Sequence, residues 1–183
     1  MTKPVLSLIT ALLVVAFGTV GCASSSNSEI SSTKQDNDLV TESYQAADFL
    51  IDQVPWLREQ RGPVLVATFV DVNALESSSA LGRIVAEQVA SRFAQEGFTV
   101  IDMKLRDNIF IQQNGGEFML SRDVRALSQT HNASAILAGT YAVGRRSVYV
   151  SARLIRASDS LILSGYDYSL PMGPDTRALL ASQ

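Results

Sequence analysis

Residues Val64-Leu65-Val66-Ala67-Thr68-Phe69-Val70 form an almost unbroken run of apolar and β-branched side chains, bounded upstream by Gly62-Pro63 and downstream by Asp71. A strand with one wet face alternates polar and apolar residues, whereas a run without alternation needs cover on both faces. The fold must therefore hold this segment as a central strand between two layers. After a loop over Asp71 to Ser79, Leu81, Val85, Val89 and Phe93 recur at helical spacing with Ile84 beside them. Ala86 and Ala90 on that helix are small enough to let it approach a sheet closely, and Gly97 ends it. Phe98 to Met103 then reads as a second strand. A strand, helix, strand unit crosses over right-handed, so the two strands are predicted to be parallel.

The flanking segments extend this core. Tyr44, Ala47, Ile51 and Val54 mark an earlier helix, with Thr41 or Ser43 as N-cap and an end near Trp56 after Pro55. Ile109-Phe110-Ile111 is a short extended piece, and Asn114-Gly115-Gly116 signals a turn. Phe118 to Leu120 leads into a helix over Arg122 to His131, capped by Ser121 and stopping at Asn132, with Val124, Leu127 and Ser128 toward the core. Three strands follow, Ala135–Val143, Ser147–Ile155 and Leu161–Tyr168. Their connectors, Gly144-Arg145-Arg146 and Ala157-Ser158-Asp159, are short enough to force antiparallel pairing. In the middle strand Val148, Val150, Ala152 and Leu154 share one face, opposite Tyr149, Ser151 and Arg153. The predicted class is α/β (α+β), a mixed sheet in the order α-β-α-β-α-β-β-β packed by helices.

Cys22, the sole cysteine, closes a segment with the three-part layout of an export signal: Lys3, an apolar run from Val5 to Phe17, and small residues before the cysteine. The apolar run is shorter than the roughly 20 residues a spanning helix needs. Thr19-Val20-Gly21-Cys22 resembles the end of a bacterial lipoprotein signal, although Thr19 stands where leucine is usual. That resemblance implies cleavage after residue 21 and acylation of Cys22, and Ala23 implies passage to the outer membrane, since aspartate there typically holds such proteins back. Two acyl chains already give stable attachment. Residues 22–40 are polar and serine-rich, and read as the lipidated cysteine followed by a flexible tether. Residues 41–171 read as the folded domain and residues 172–183 as a C-terminal tail.

Composition excludes several chemistries. Of the 183 residues, 18 are acidic and 15 basic, for a net charge of −3, which is not the balance of a nucleic-acid binder. A single cysteine allows no internal disulfide, so stability rests on packing. His131 is the only histidine, which rules out a multi-histidine metal site within one chain and any histidine-based triad. Asp71, Asp102, Asp107 and Asp123 do not have the spacing of a calcium loop. Ser77-Ser78-Ser79 before the second helix suits capping, or an anion at the helix start, without the glycines that a phosphate loop uses. No cofactor is expected and no enzymatic activity.

The remaining candidates are surfaces. Arg145 and Arg146 at a hairpin tip suit an acidic subunit or lipid phosphate, or simply solvent. Tyr149, Tyr166 and Tyr168 suit either an aromatic interface patch or cross-strand core packing. Ile109, Phe110, Ile111 and Phe118 border a connector that is either a docking loop or a flap over the core.

The run from Val64 to Asp71, Leu120-Ser121-Arg122-Asp123-Val124-Arg125, Gly139-Thr140-Tyr141 with Val148 to Leu154, and Tyr166 to Pro171 together resemble the FlgO domain. The resemblance runs from about Tyr44 to Pro171. It implies a non-catalytic outer-membrane lipoprotein at the rings around the flagellar basal body, with an assembly or stabilising role in motility. Implied partners are outer-membrane lipid through Cys22, basal-body ring proteins and further copies of itself. More remotely, the element order is similar to the TolB N-terminal, LpoB and CsgG periplasmic domains. A lipoprotein module regulating a periplasmic cell-envelope enzyme, as LpoB does, is the alternative reading. A CsgG-like pore would need alternating strands of about 9–11 residues, and the one long alternating segment, Ser147–Ile155, is taken up by the sheet.

Overall fold

The computed structural model describes residues 35–60, 62–103, 111–114, 117–120 and 122–182. Helix α1 (Leu39–Asp52) is capped by Asp38, whose carboxylate accepts from the N–H groups of Val40 and Thr41. The cap therefore lies upstream of the expected Thr41 or Ser43. Ser43 is buried instead and donates to Gln88 Oε1 at 2.8 Å. Pro55 lacks the N–H that would continue α1, and it opens a separate short helix, α2 (Pro55–Gln60), where one continuous helix was expected.

The predicted first strand is divided into β1 (Val64–Val66) and β2 (Val70–Asp71). β1 pairs Val64 with Ala135, whereas β2 pairs Val70 with Thr140, so the chain gains one residue between them. One extra residue inverts the facing of everything after it. Val64 and Val66 face one core cluster, Leu65 and Ala67 the other, and Phe69 returns to the first. Continuous apolarity, which announces double burial correctly, conceals such a slip.

Helix α3 (Ala80–Gln95) follows, with Ser79 as N-cap and Leu81, Val85, Val89 and Phe93 buried as predicted. It ends in a Schellman arrangement: Gly97 at φ 87° donates to Ala94, and Phe98 donates to the Phe93 carbonyl. The Phe93 and Phe98 rings meet at 5.5 Å, the apolar contact that accompanies this cap. β3 (Val100–Asp102) pairs parallel with β1, as the crossover required. β4 (Ile111–Asn114) and β5 (Glu117–Leu120) form a two-stranded antiparallel hairpin, so Phe118 to Leu120 is strand and not the approach to a helix. α4 (Arg122–Thr130) comes next, and Asn132 turns the chain at φ 50°.

β6 (Ala135–Val143), β7 (Ser147–Arg156) and β8 (Ile162–Pro171) are the expected antiparallel meander. The sheet order is β3-β1-β6-β7-β8, with β2 also on β6, so it is mixed. α1 and α3 pack together on one face, over the larger cluster that includes Leu50, Phe93, Leu137 and Leu154. Leu127 of α4 joins Leu65, Ile136 and Ile155 on the other face.

The bounds expected for tether and tail shift inward. The last segment is a helix, α5 (Pro174–Ala181), packed against α3, with buried Thr176. Its N-cap, Gly173, has no side chain to offer. The carboxylate of Asp36 does that work from outside the helix, accepting from Asp175 N–H (2.9 Å), Thr176 N–H (3.2 Å) and the Thr176 hydroxyl (2.7 Å). Residues 35–40, expected as tether, thus belong to the folded unit.

Candidate interaction surface

The surface is built around the outer strands. Alternation on β7 puts Val148, Val150, Ala152 and Leu154 under the helices and leaves Tyr149, Ser151 and Arg153 on the opposite face, as predicted. Tyr149 is 61% exposed. The register sets Tyr149 opposite Ser169, Tyr168 opposite Val150 and Tyr166 opposite Ala152. The three tyrosines therefore cannot form one patch. Tyr149 stands on the outer face, whereas Tyr166 and Tyr168 lie on the helix side, 5.9 Å apart, with Phe49 of α1 5.2 Å from Tyr166. Burial pushes the Tyr168 phenol well above its usual range, outweighing the lowering effect of nearby Ser43.

On the outer face Arg153 holds Asp167 through two contacts, at 2.7 and 3.2 Å. The guanidinium keeps the Asp167 carboxyl below its ordinary range. Arg145 and Arg146 are exposed at the β6–β7 turn, where the sequence placed them. Ile111 lies on β4 and Phe118 on β5; Ile109, Phe110 and Cys22 lie outside the described residues. The connector that was a docking-loop candidate thus contains a hairpin.

The serine run before α3 is committed to capping. The Ser78 hydroxyl donates to the Phe69 carbonyl at 2.7 Å, Ser79 Oγ accepts from Gly82 N–H, and Ser79 N–H donates to the Tyr141 hydroxyl at 2.9 Å. The Ser79 amide and the Ser78 and Ser79 hydroxyls are therefore already paired. His131 is exposed just past α4, its N–H donating to the Leu127 carbonyl.

In two grooves among the described residues the lining arginines are already paired, Arg58 with Glu96 and Arg156 with Asp159. A cleft of about 590 Å³ lies between α2 and the end of α3, and there Arg58 reaches Glu96 at 3.0 Å and covers the Phe98 ring. A second, of about 440 Å³, lies where Arg156 covers Trp56. Among the described residues no group of His, Cys, Asp and Glu is placed to hold a metal ion, and no helix is long and apolar enough to cross a membrane.

The feature sequence reasoning missed is the Asp36 clamp, which ties the segment before α1 to the start of α5. Burial would raise this carboxyl. Hydrogen bonds from the Thr176 hydroxyl and from the N–H groups of Asp175, Thr176 and Gly173 outweigh it and hold the pKa below the ordinary value.

Among solved structures, the LpoB C-terminal domain from Salmonella enterica is similar with a TM-score of 0.48 at 11% identity, over 73% of this chain and 98% of that one. Lipoprotein GNA1162 from Neisseria meningitidis gives 0.40 at 18% identity, over 63% and 83%. PelC from Paraburkholderia phytofirmans gives 0.42 at 12% identity, over 67% and 83%. These are likenesses of outline and assign no role. A comparison with curated protein sequences gives no match. The family model described as FlgO protein matches residues 44–175, from α1 through the sheet to the start of α5 and well over half of the chain. The chain belongs to the FlgO family.

Proposed function

We propose that this FlgO-family protein is a non-enzymatic lipoprotein, held at the outer membrane through acylated Cys22, that supports assembly or stability of the flagellar outer-membrane ring and hence motility. The observation that carries this reading is the family match, which spans nearly the whole folded unit. The chain geometry supports it. Asp36 already belongs to the folded unit, so only 14 residues of chain, at most about 50 Å when fully extended, follow Cys22 before the fold. Such a reach suits partners at the same membrane better than a distant target across the periplasm.

Two experiments test it. Cys22→Ala is expected to yield a product that takes up no labelled palmitate and leaves the outer-membrane fraction; continued labelling of that variant refutes the anchor. Deletion of the gene in a flagellated host is expected to impair swimming and ring integrity, with recovery by the wild-type chain and not by Cys22→Ala. Normal motility and normal rings in the deletion strain refute the structural role.

A further inference from the structure

β8 is the last strand of the sheet, and among the described residues no strand lies beyond it. Met172 N–H donates to the Arg146 carbonyl, the two residues that the register sets opposite each other. Hydrogen-bonded pairs alternate along an antiparallel ladder, so the even-numbered residues from 164 to 172 face β7. The N–H and C=O groups of Gly165, Asp167 and Ser169 face outward. The devices that usually protect an edge are sparse along this stretch. There is no lysine, the only proline stands at the strand's end, and the one register shift, which inserts Leu163 into β8, lies just before Gly165 and leaves the ladder from Ser164 to Pro171 regular.

Both faces beside this edge are self-complementary. On the helix side Tyr166 meets Phe49, which is 43% exposed. On the outer side Arg153 lies over Gly165, where an added Cβ would stand 3.0 Å from its Cδ, and it reaches Asp167, which is 64% exposed. We propose that β8 pairs antiparallel with β8 of a second copy of this chain, about a two-fold axis at Tyr166. In that register Gly165 opposes Asp167 of the second copy, and each such pair exchanges two backbone hydrogen bonds. Tyr166 opposes its own equivalent in a closely spaced pair, with Phe49 of each copy beside it. The carboxylate of the second Asp167 arrives beside the Arg153 that covers Gly165. Two guanidinium groups and two carboxylates then alternate in one cluster.

A register centred on Asp167 would set two carboxylates directly opposite, which is unfavourable. The Tyr166 centre avoids this. The two sheets become one continuous sheet with the α1 and α3 layers on the same side. The Asp36 clamps lie beyond Gly173, so the two clamps stand at opposite ends of the joined strand, about 46 Å apart at about 3.3 Å per residue. None of this depends on the flagellar role, and it stands or falls separately.

The test uses the full-length lipidated protein in detergent, by sedimentation and by residue-resolved amide exchange. The wild-type chain is expected to sediment as a dimer, with the Gly165 and Asp167 amides slowed by about tenfold or more relative to other exposed amides. A monomer with fast exchange at these two positions overturns the proposal. Oxidation of Tyr166→Cys is expected to trap a covalent dimer, because directly opposed positions of this type have Cα atoms about 4.5 Å apart. Ser169→Cys, whose equivalents would lie about 20 Å apart, is expected to remain uncrosslinked, as is the wild-type chain with Cys22 alone. Slowed amides without a Tyr166→Cys dimer would mean that another chain covers the edge, and equal trapping at both positions would mean random collision. Either result overturns the second copy as occupant.

Discussion

Asp36→Ala isolates the contact that joins the start of the fold to its end. α5 begins at Gly173 with Pro174 as its first residue, so the orphan N–H groups of its first turn have no local side-chain acceptor. Asp36 supplies that acceptor for Asp175 and Thr176, and also accepts from the Thr176 hydroxyl, on a residue only 6% exposed. Loss of a helix cap costs about 1 kcal/mol, and a hydroxyl left without a partner in a largely buried position adds about 1 kcal/mol. The expected loss is about 2 kcal/mol. For a folded unit of this size it corresponds to a fall in Tm of about 4–8 °C. Asp36→Asn keeps one acceptor oxygen and is expected to lose about half as much. Gly173→Ala places a methyl where the Asp36 carboxylate sits, so it should mimic Asp36→Ala, and the double variant should cost little more than the worse single. Urea and thermal unfolding of the four variants read these values. A loss below about 0.5 kcal/mol for Asp36→Ala, within the range of an ordinary surface change, would refute the clamp.

Three further outcomes follow from the same packing. Gly139→Ala would set its Cβ 2.5 Å from Phe69 Cδ2, an overpacking expected to cost about 1–3 kcal/mol in urea unfolding, and the smaller ring-free side chain of Phe69→Leu should relieve part of it. Tyr141→Phe removes the hydroxyl that accepts from the buried Ser79 N–H, for an expected loss of about 1–3 kcal/mol by the same assay. Stability should also fall in acid. The Asp36 and Asp167 carboxyls have native pKa values below their ordinary value of 3.8, so their contribution is complete above that value and is lost as pH drops through the lowered native ones. Urea midpoints from pH 7 to pH 3 should decline more steeply for the wild-type chain than for Asp36→Asn.

Much of the fold was legible because local patterns matched the tertiary structure. The alternation in Ser147–Ile155 identified the helix-facing residues of β7, and Leu81, Val85, Val89 and Phe93 marked the buried stripe of α3 between two parallel strands. What escaped lay where the deciding partner is distant or the pattern is degenerate. A doubly buried run cannot show the residue inserted between β1 and β2, since either parity is apolar. Strand β5 was hidden because Phe118-Met119-Leu120 suits a helix approach as well as a strand. Asp36 could not be recognised as a cap, because the helix start it serves is 139 residues away. Of the two readings of the tyrosines, packing on the core holds for Tyr166 and Tyr168, whereas a patch of all three is excluded by register, because pairing Tyr149 with Ser169 sets it across the sheet from the others. The surface candidates at Arg145, Arg146, Ile111 and Phe118 were found by type, and their place in a hairpin tip and a two-stranded ribbon is what the structure adds.

The most direct test of the proposed role is crosslinking and affinity capture of the lipidated protein from outer membranes, with the captured partners identified by mass spectrometry. The account predicts recovery of flagellar basal-body ring components. Recovery of a cell-wall synthase or its regulators, with no flagellar protein among the partners, would contradict it.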